Sequence, residues 1–344
     1  MNGGGEMSGC IRDVFIEREK STLSPYAFLT SDTRGREKPC VPSEIRTDFQ
    51  RDRDKIIHSQ SFRRLMNKTQ VFLAPVGDHY RTRMTHTLEV TQIARIIARA
   101  LRLNEDLTEA IAMGHDIGHT PFGHAGEYAM QKCFDPEFTH YRQSLRVVEK
   151  LENNGEGLNL TWEVRDGIVN HTGDSVASTL EGVIVKYADR IAYINHDIDD
   201  ACRAGILLSE DIPSWIRDVL GDTHSKRINS LVTSVITAST DKNEITMEDE
   251  VGSAMKALRA FLFERVYRNP VAKSEEGKAQ DMLMSLYGYY VANSDRMPEL
   301  YRRSIEVEGV ERCVCDFIAG MTDRYAIDLY NELYVPKVWR GTHL

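Results

Sequence analysis

Residues 114–127 read GHDIGHTPFGHAGE and place three histidines, one aspartate and one glutamate within fourteen positions. A single histidine on a helix is usually a structural residue, whereas three histidines within ten positions beside an aspartate indicate a chemical site. The proline and the glycines inside the stretch predict that one helix ends after Asp116 and that another begins near His124. We therefore expect a helix, a tight turn and a second helix, with the polar side chains gathered around the turn.

Apolar residues recur three or four positions apart on both sides of this stretch, a spacing that is typical of helices. Asn104 stands where a side chain would cap the helix that leads into the stretch. Only residues 71–73, Val-Phe-Leu, suggest extended structure, and that run is short. We predict an all-α fold, with further helices over 141–153, 161–171, 179–204, 224–239, 247–268, 276–292, 297–307 and 309–330.

The helical pattern begins near Arg46 and divides the 344 residues into three predicted parts. Residues 1–45 are rich in Gly, Ser, Pro and charge, and we expect them to form a loosely structured N-terminal arm. Residues 46–205 contain the histidine-rich stretch and the long helices around it, and they form the predicted core. Residues 206–344 are expected to form a helical C-terminal part that packs on this core.

Composition argues against several classes of protein. A net charge of −9, from 52 acidic and 43 basic residues, disfavours nucleic acid as the main partner. No run of about 18 apolar residues occurs and the first residues lack signal-peptide features, so we expect a cytoplasmic protein without a membrane span. The six cysteines are not spaced like a zinc knuckle or a redox pair and are expected to be reduced. A small anionic substrate is compatible with this charge, because local arginines and a divalent cation can override the global field.

Candidate metal ligands lie on three predicted helices. His115 and Asp116 are adjacent, so their side chains diverge by about 100° and can share an ion only if other elements complete the cage. His86, at the start of the preceding long helix, and Asp189, on a later one, are the candidates for this role. Two neutral imidazoles and two carboxylates form a mixed nitrogen and oxygen cage, which suits Mn, Fe, Co or Mg better than a structural zinc ion.

The predicted helix over 179–204 has one apolar face and one unusual polar face. A polar face can simply be solvated, but solvated faces are usually filled with Lys and Glu. This face instead holds acidic, aromatic and small residues, which favours a helix that lines a cavity. Its residues are Asp189, Tyr193, His196 and Asp197, flanked by Val185, Ala188 and Ala192.

His124 and Glu127 are three positions apart and are therefore neighbours on one face of the second helix of the stretch. One interpretation is a hydrogen bond on the surface. Their closeness in sequence to His115 and Asp116 favours the other interpretation, an acid and base pair in which the glutamate orients the histidine.

Long segments of the chain resemble the HD-domain deoxynucleoside triphosphate triphosphohydrolases, and in particular their bacterial dGTPase-like branch. The resemblance covers nearly the whole chain and includes the pattern HDxGHxPFGHxGE together with segments 46–72, 80–101, 103–127, 143–152, 181–205 and 318–330. It implies an HD-domain helical fold with a helical C-terminal extension. It also implies that His124 and Glu127 are catalytic and that a divalent metal is held by His86, His115, Asp116 and Asp189.

The resemblance further implies a set of substrate contacts. Arg83 resembles an arginine that contacts phosphate, and His119 resembles a histidine that faces the α-phosphate. Tyr193 and Asp197 resemble the residues that meet the deoxyribose, where the tyrosine ring disfavours a 2′-hydroxyl and the aspartate accepts from the 3′-hydroxyl. The remaining candidates are Gln70, His140, Arg190, Arg259 and Tyr267.

The implied reaction is hydrolysis of a dNTP at the α-phosphorus to a deoxynucleoside and tripolyphosphate, with Mg, Mn, Fe, Co, Ni or Zn as the divalent metal. The resemblance also implies a homo-oligomer in which a second dNTP acts as an activator, and the basic run over 51–68 fits either subunit contacts or a solvated helix face. Two alternatives stay open: another HD phosphohydrolase, such as a nucleotidase or phosphodiesterase, and a nucleotide-sensing regulator. The chain departs from the family at Tyr141, where an asparagine usually follows the histidine.

Overall fold

The computed structural model describes residues 10–70, 81–268 and 275–337. Within these residues the regular structure is helical, and the extended pairing consists of two isolated antiparallel bridges, Arg36 with Thr161 and Thr69 with Thr82. The predicted all-α fold is confirmed, while the predicted extended run over 71–73 lies outside the described residues. None of the described helices is both long enough and apolar enough to cross a membrane.

The first part of the chain forms helices labelled α1 to α10 in order, namely Ile11–Thr22, Asp48–Ile57, Gln60–Arg64, Arg83–Ala100, Glu105–Gly114, His124–Cys133, His140–Arg146, Glu152–Gly155, Trp162–Val169 and Leu180–Arg203. The later part forms α11 to α18, namely Ser214–Leu220, His224–Ser239, Asp249–Leu262, Glu276–Ala292, Glu299–Arg302, Ile305–Glu308, Val310–Ala319 and Asp323–Tyr334. Two of these helices, α7 and α13, continue into π-helical turns at Val147–Leu151 and Phe263–Tyr267. Short 3-10 turns occur at Thr30–Asp32, Leu65–Asn67, Ser209–Asp211 and Ser294–Arg296.

Side-chain caps fix where the central helices begin. Asn104 Oδ1 accepts from the backbone N–H of Leu107 at 3.2 Å, which confirms the predicted cap of α5. Thr82 and Thr85 form a reciprocal capping box at the start of α4, and the first turn of this helix carries Arg83 and His86. Because each cap satisfies N–H groups that would otherwise lack partners, the ends of α4 and α5 are defined to the residue.

Two predicted helices are divided in the structure. The pattern over 309–330 contains α17 and α18, which are separated at Gly320 because the Thr322 side chain accepts from the N–H of Tyr325 and starts a new helix. The pattern over 297–307 likewise contains α15 and α16. Apolar periodicity continues across such breaks when both helices bury the same side, so the sequence pattern alone overestimates their length. Helix α11 was not predicted, because its seven residues are too few for a periodic signal.

The apolar core consists of two clusters. The larger one contains buried side chains of α2, α4, α5 and α9 to α13, from Phe49 to Val266. The smaller one joins α6 to α14, α17 and α18. Apolar side chains on both sides of residue 205 share the larger cluster, so the predicted division at 205 does not coincide with a boundary in packing.

Residues 10–45 are more ordered than the sequence predicted. They contain α1 and a 3-10 turn, and buried acids of the core hold them in place. Glu181 Oε1 accepts from the N–H of Phe28 at 3.0 Å, and Glu163 Oε1 accepts from the N–H of Arg34 at 2.8 Å. The expectation of a loose arm does not hold here, because hydrogen bonds to distant acids replace the apolar contacts that periodicity would have revealed.

Glu181 makes the stability of this docking depend on pH. Burial raises the pKa of Glu181 from 4.5 to about 7, although the N–H groups of Asn104 and Phe28 oppose the shift. Between these two pH values the folded state therefore keeps a proton that the unfolded state releases. The stabilisation is fully present below pH 4.5, and the free energy of unfolding falls by about 3 kcal/mol as the pH rises through 7.

Glu181→Gln keeps the Oε1 acceptor and removes the charge. We expect its melting temperature to exceed that of the wild type at pH 8 and to approach it at pH 5. Thermal unfolding of both proteins across this range measures the effect, and a difference that stays constant with pH would contradict it.

Candidate metal centre and active site

The four predicted metal ligands meet at one point of the core. His86 comes from the first turn of α4, His115 and Asp116 follow α5, and Asp189 comes from the middle of α10. His86 Nε2 lies 3.1 Å from Asp189 Oδ1 and 3.8 Å from Asp116 Oδ2. His115 Nε2 lies 3.4 Å from Asp116 Oδ1 and 4.0 Å from Asp189 Oδ1. Three helices thus converge as the spacing predicted.

The donor atoms of this cage fit a divalent cation. His115 Nδ1 donates to the carbonyl of Ala112 at 2.7 Å, so the lone pair of the ring is on Nε2. This Nε2 atom is buried, lies among carboxylates and makes no hydrogen bond. Since a neutral imidazole with its other nitrogen tied to a carbonyl is the usual state of a metal-ligating histidine, the cage is suited to hold a cation.

Both carboxylates of the cage favour the ionised form. Burial opposes ionisation of Asp189, but the hydrogen bond from His86 and the nearby histidines lower its pKa from 3.8 to about 2. Burial likewise opposes ionisation of Asp116, and His115, His119 and Arg83 together hold its pKa well below the ordinary value. Two negative charges are therefore available to a cation.

A cavity of about 570 Å³ opens in front of the cage, within the usual range for ligand sites. His86, Asp116 and Asp189 line it, whereas His115 lies behind them in the core. Its walls also include all nine residues that the family resemblance assigned to substrate, namely Gln70, Arg83, His119, His140, Arg190, Tyr193, Asp197, Arg259 and Tyr267.

The Arg83 guanidinium is buried between the cage and the histidine-rich turn. Its Nη1 donates to Asp116 Oδ2 at 2.9 Å, while its Nε atom has no hydrogen-bond partner among the described residues. A Cβ atom at Gly123 would lie 2.7 Å from Arg83 Nη2, and Gly123 has a positive φ of 56°. The turn therefore requires glycine at this position, both for its backbone conformation and to leave room for the arginine.

The glutamate of the predicted acid and base pair has a different partner. Glu127 Oε2 accepts from His140 Nδ1 at 2.9 Å, so Glu127 orients His140 rather than His124. The His140 ring stacks on that of His119 with centroids 3.9 Å apart, and the His124 ring lies 6.1 Å from that of His119. His119 from the turn, His124 from α6 and His140 from α7 thus meet at the cavity. Of these three, His140 is oriented by the Glu127 carboxylate.

The surroundings lower the basicity of this group. Burial, together with the positive charges of Arg83 and His140, lowers the pKa of both His119 and His124. Burial opposes ionisation of Glu127, but the hydrogen bond and charge of His140 lower the pKa of Glu127. The arrangement favours a glutamate anion beside His140 and neutral rings at His119 and His124.

The polar face of α10 lies at the cavity only in part. Asp189, Tyr193 and Asp197 line the cavity, but His196 turns the other way, with its Nδ1 atom 3.4 Å from His86 Nδ1 and its other nitrogen against Glu89. The expected flanking residues Val185, Ala188 and Ala192 are fully buried in the larger apolar cluster instead. Spacing along the helix placed Asp189, Tyr193 and Asp197 on one face. Packing against the neighbouring helices decides which residues of that face line the cavity.

Asp197 has one oxygen without a partner. Tyr267 donates its hydroxyl to Asp197 Oδ2, while Oδ1 is buried and accepts no hydrogen bond from the part of the chain that the structure describes. Burial, together with the nearby charges of Asp200 and Asp189, raises the pKa of Asp197 well above 3.8. A buried acceptor that faces a cavity without a donor is a position where a ligand hydroxyl would bind.

Sequence reasoning did not identify His171. Its Nδ1 donates to the carbonyl of Ile168 at 2.7 Å, and its ring lies 4.9 Å from that of His115 and 5.4 Å from that of His140. His171 lines the cavity together with the next three residues, 172–174. The local signal was Asn-His-Thr-Gly-Asp at the end of a predicted helix, where polar residues and a glycine bring backbone close to a site.

Tyr141 packs against two of these histidines. The centroid of its ring lies 5.6 Å from that of His140 and 6.5 Å from that of His171.

Two protein families match parts of the chain: the HD domain over residues 83–194 and the phosphohydrolase-associated domain over 245–332. A relative from Caldanaerobacter subterraneus subsp. tengcongensis is 56% identical over 329 residues, which cover 96% of this chain and 97% of the relative. Relatives from Desulfatibacillum aliphaticivorans and Clostridium perfringens are 48% and 49% identical, each over 95% of this chain and 98% of the relative.

All three relatives are named deoxyguanosinetriphosphate triphosphohydrolase-like protein. Their similarity extends over nearly the full length of each chain, well beyond the histidine-rich stretch. With a cage of histidines and aspartates at the centre of an all-α fold, this chain belongs to the deoxyguanosinetriphosphate triphosphohydrolase-like family of HD-domain proteins.

Proposed function

We propose that this protein hydrolyses deoxynucleoside triphosphates to the deoxynucleoside and tripolyphosphate. The observation that carries the proposal is a single cavity with a metal cage and a buried arginine at one position and an unpartnered aspartate oxygen at another. The first set of groups suits the phosphates, and the second suits a sugar hydroxyl. The names of the relatives support the same chemistry.

Three arginines of the cavity supply positive charge for the triphosphate. Arg83 is buried beside Asp116, and Arg190 and Arg259 lie on α10 and α13 at the wall. Guanidinium groups bind phosphate oxygens with two parallel hydrogen bonds, which fixes the orientation of the phosphate as well as its charge. When bound at the cage, a divalent cation would neutralise charge on the non-bridging oxygens of the phosphorus under attack.

The sugar is expected at Tyr193 and Asp197, which are one helical turn apart on α10. The 3′-hydroxyl would donate to the unpartnered Asp197 Oδ1. Burial raises the pKa of Tyr193 to about 12, so its hydroxyl keeps its proton at neutral pH. The tyrosine ring beside the sugar is the proposed reason for selecting a deoxyribose over a ribose.

His140 is proposed to supply the proton of the leaving group. Glu127 accepts from His140 Nδ1, which stabilises the protonated ring and leaves Nε2 to donate. In hydrolysis the bond between the α-phosphorus and the 5′-oxygen breaks, and a water oxygen forms a new bond to that phosphorus. The 5′-oxygen takes a proton from His140, and the attacking water gives a proton to the neutral ring of His124, from which it passes to solvent. His124, a neutral ring in the same cavity, is proposed to position this water.

Product analysis in ¹⁸O-labelled water tests the proposal. The protein is incubated with each dNTP and NTP, alone and in pairs, with Mg²⁺ or Mn²⁺, and the products are separated and weighed. We expect deoxynucleoside and tripolyphosphate, with the label in tripolyphosphate because water attacks phosphorus. Orthophosphate from monophosphates would instead indicate a nucleotidase, and label in the nucleoside would exclude attack at phosphorus.

The paired incubations test for an activating dNTP. Light scattering with and without nucleotide tests the proposed homo-oligomer.

A further inference from the structure

The turn between His119 and His124 has a strained backbone. Phe122 has a φ of 61°, in the left-handed region that a bulky side chain rarely adopts, and Gly123 follows with a φ of 56°. Such a conformation persists only when surrounding groups hold it. The contacts that hold this turn therefore decide where the histidines at its two ends are placed.

Asp323, the first residue of α18, is one of these contacts. Its Oδ1 atom accepts from the N–H of Phe122 at 2.9 Å. Its Oδ2 atom accepts from the N–H of Thr69 at 2.9 Å and from the Thr69 hydroxyl at 2.7 Å. The carboxylate is buried, so these three hydrogen bonds are not replaced by water.

Lys68 is the second contact. Its Nζ atom is buried and donates to the carbonyls of His119 and of Ala319, the latter at 2.9 Å. The Lys68 carbonyl accepts from the N–H of Arg83 at 3.0 Å. The lysine thus joins the start of the turn, the start of α4 and the end of α17. In the sequence it belonged to a basic run expected at a surface or a subunit contact, and its burial excludes a solvated role.

The helix that carries His140 is also tied to the C-terminal helices. Asp316, on α17, accepts from Gln143 Nε2 at 2.9 Å and from Arg146 Nη2 at 2.7 Å. Both donors lie on α7 within two turns of His140. The region matched by the phosphohydrolase-associated domain therefore contacts the turn through Asp323 and α7 through Asp316.

We infer that Asp323 and Lys68 are positioning residues of the active site, and that the phosphohydrolase-associated region holds the 119–123 turn so that His119 and His124 face the substrate. The inference rests on the proposed function, because it gives the turn a task in hydrolysis. It assigns a role to α17 and α18, which provide none of the predicted metal ligands or substrate contacts and act on the site through the backbone of the turn.

Asp323→Asn tests the inference. A carboxamide has only one acceptor oxygen, which we expect to turn toward the two donors of Thr69, leaving the NH₂ group against the N–H of Phe122. We expect kcat to fall at least tenfold with KM within twofold of the wild type. Amide hydrogen exchange of a peptide over 119–124 is expected to become faster. Mn²⁺ affinity is expected to stay unchanged, because Asp323 contacts no residue of the cage.

Asp328→Asn is the matched control. It changes the same charge on the same helix, but Asp328 is exposed, and its charged partner among the described residues is Arg324 at 3.7 Å. We expect no change in kcat or in exchange of the 119–124 peptide.

Lys68→Met is the second variant, in case Asp323→Asn does not fold. It keeps an unbranched side chain, removes the bond to the His119 carbonyl, and is expected to lower kcat and to speed exchange in the same way.

The outcomes separate the inference from the proposed function. If a folded Asp323→Asn or Lys68→Met protein melts at a lower temperature but keeps wild-type kcat and wild-type exchange in the turn, the residues are merely structural and the inference is overturned. If the wild type releases no tripolyphosphate, the proposed function fails, and hydrogen exchange still reports whether the contacts hold the turn.

Discussion

His115→Ala is expected to abolish divalent-metal binding and dNTP hydrolysis together while the helical fold is retained. The side chain is fully buried and presents Nε2 to the cage with its other nitrogen bonded to the Ala112 carbonyl. Alanine removes this nitrogen and leaves one ligand position of the cage empty. A bound cation contributes several kcal/mol of charge stabilisation in the transition state. The rate of tripolyphosphate release should therefore fall by about a thousandfold or more.

Calorimetric titration of metal-stripped protein with Mn²⁺ measures binding, and tripolyphosphate release measures turnover. His224→Ala is the control, because His224 lies 3.6 Å from Asp199 and is part of neither the cage nor the cavity wall. This control should match the wild type in both measurements. Wild-type Mn²⁺ affinity in His115→Ala would refute the cage as the metal site.

Glu127→Gln is expected to lower kcat by about 10²- to 10⁴-fold, the usual contribution of a positioned acid, without weakening metal binding. The amide keeps the shape of the glutamate but removes the negative charge that stabilises protonated His140, 2.9 Å away. His140→Ala should have a similar effect. Since the two residues act as one unit, the double variant should be little worse than either single variant.

Steady-state kinetics with the best dNTP substrate, at several pH values, measures these changes. Glu137→Gln serves as the matched control, because Glu137 is exposed and its carboxylate pairs with Arg142 of α7 at 3.0 Å. A strictly additive double variant would mean that Glu127 and His140 act independently. Full activity of His140→Ala, combined with inactive His124→Ala and Glu127→Gln variants, would return the catalytic role to His124 and Glu127, the pair first suggested by helical spacing.

The predicted acid and base pair of His124 and Glu127 shows a limit of spacing along one helix as a guide to contacts. Residues three apart on a helix share a face, which made His124 the natural partner of Glu127. In the structure the start of α7 brings His140 within hydrogen-bond distance of Glu127, and the His140 ring stacks on that of His119. The sequence contained all three histidines, but only packing selects the one that the carboxylate contacts.

The N-terminal residues show the same limit for the fold. Helices of the core could be predicted because each buries an apolar stripe, and the stripe is visible as a period of three or four residues. Residues 27–36 dock through Glu181, Glu163 and Asp52 instead, acids that lie more than a hundred positions away in two of the three cases. Hydrogen bonds of this kind leave no periodic trace, so nothing in the local sequence indicates them.

By itself the sequence determined the helical fold, the cap of α5, the helix–turn–helix form of the 114–127 stretch and the identity of the side chains that meet at the cage. These features depend on residue type and on spacing along one or two helices, which the chain specifies locally. The tertiary structure decided the rest: the partner of Glu127, the contact of His196 with His86, the place of His171 in the cavity wall and the contact of Asp323 with the 119–123 turn. Each depends on which helices become neighbours, and that follows from burial of the whole apolar core rather than from any segment of the chain.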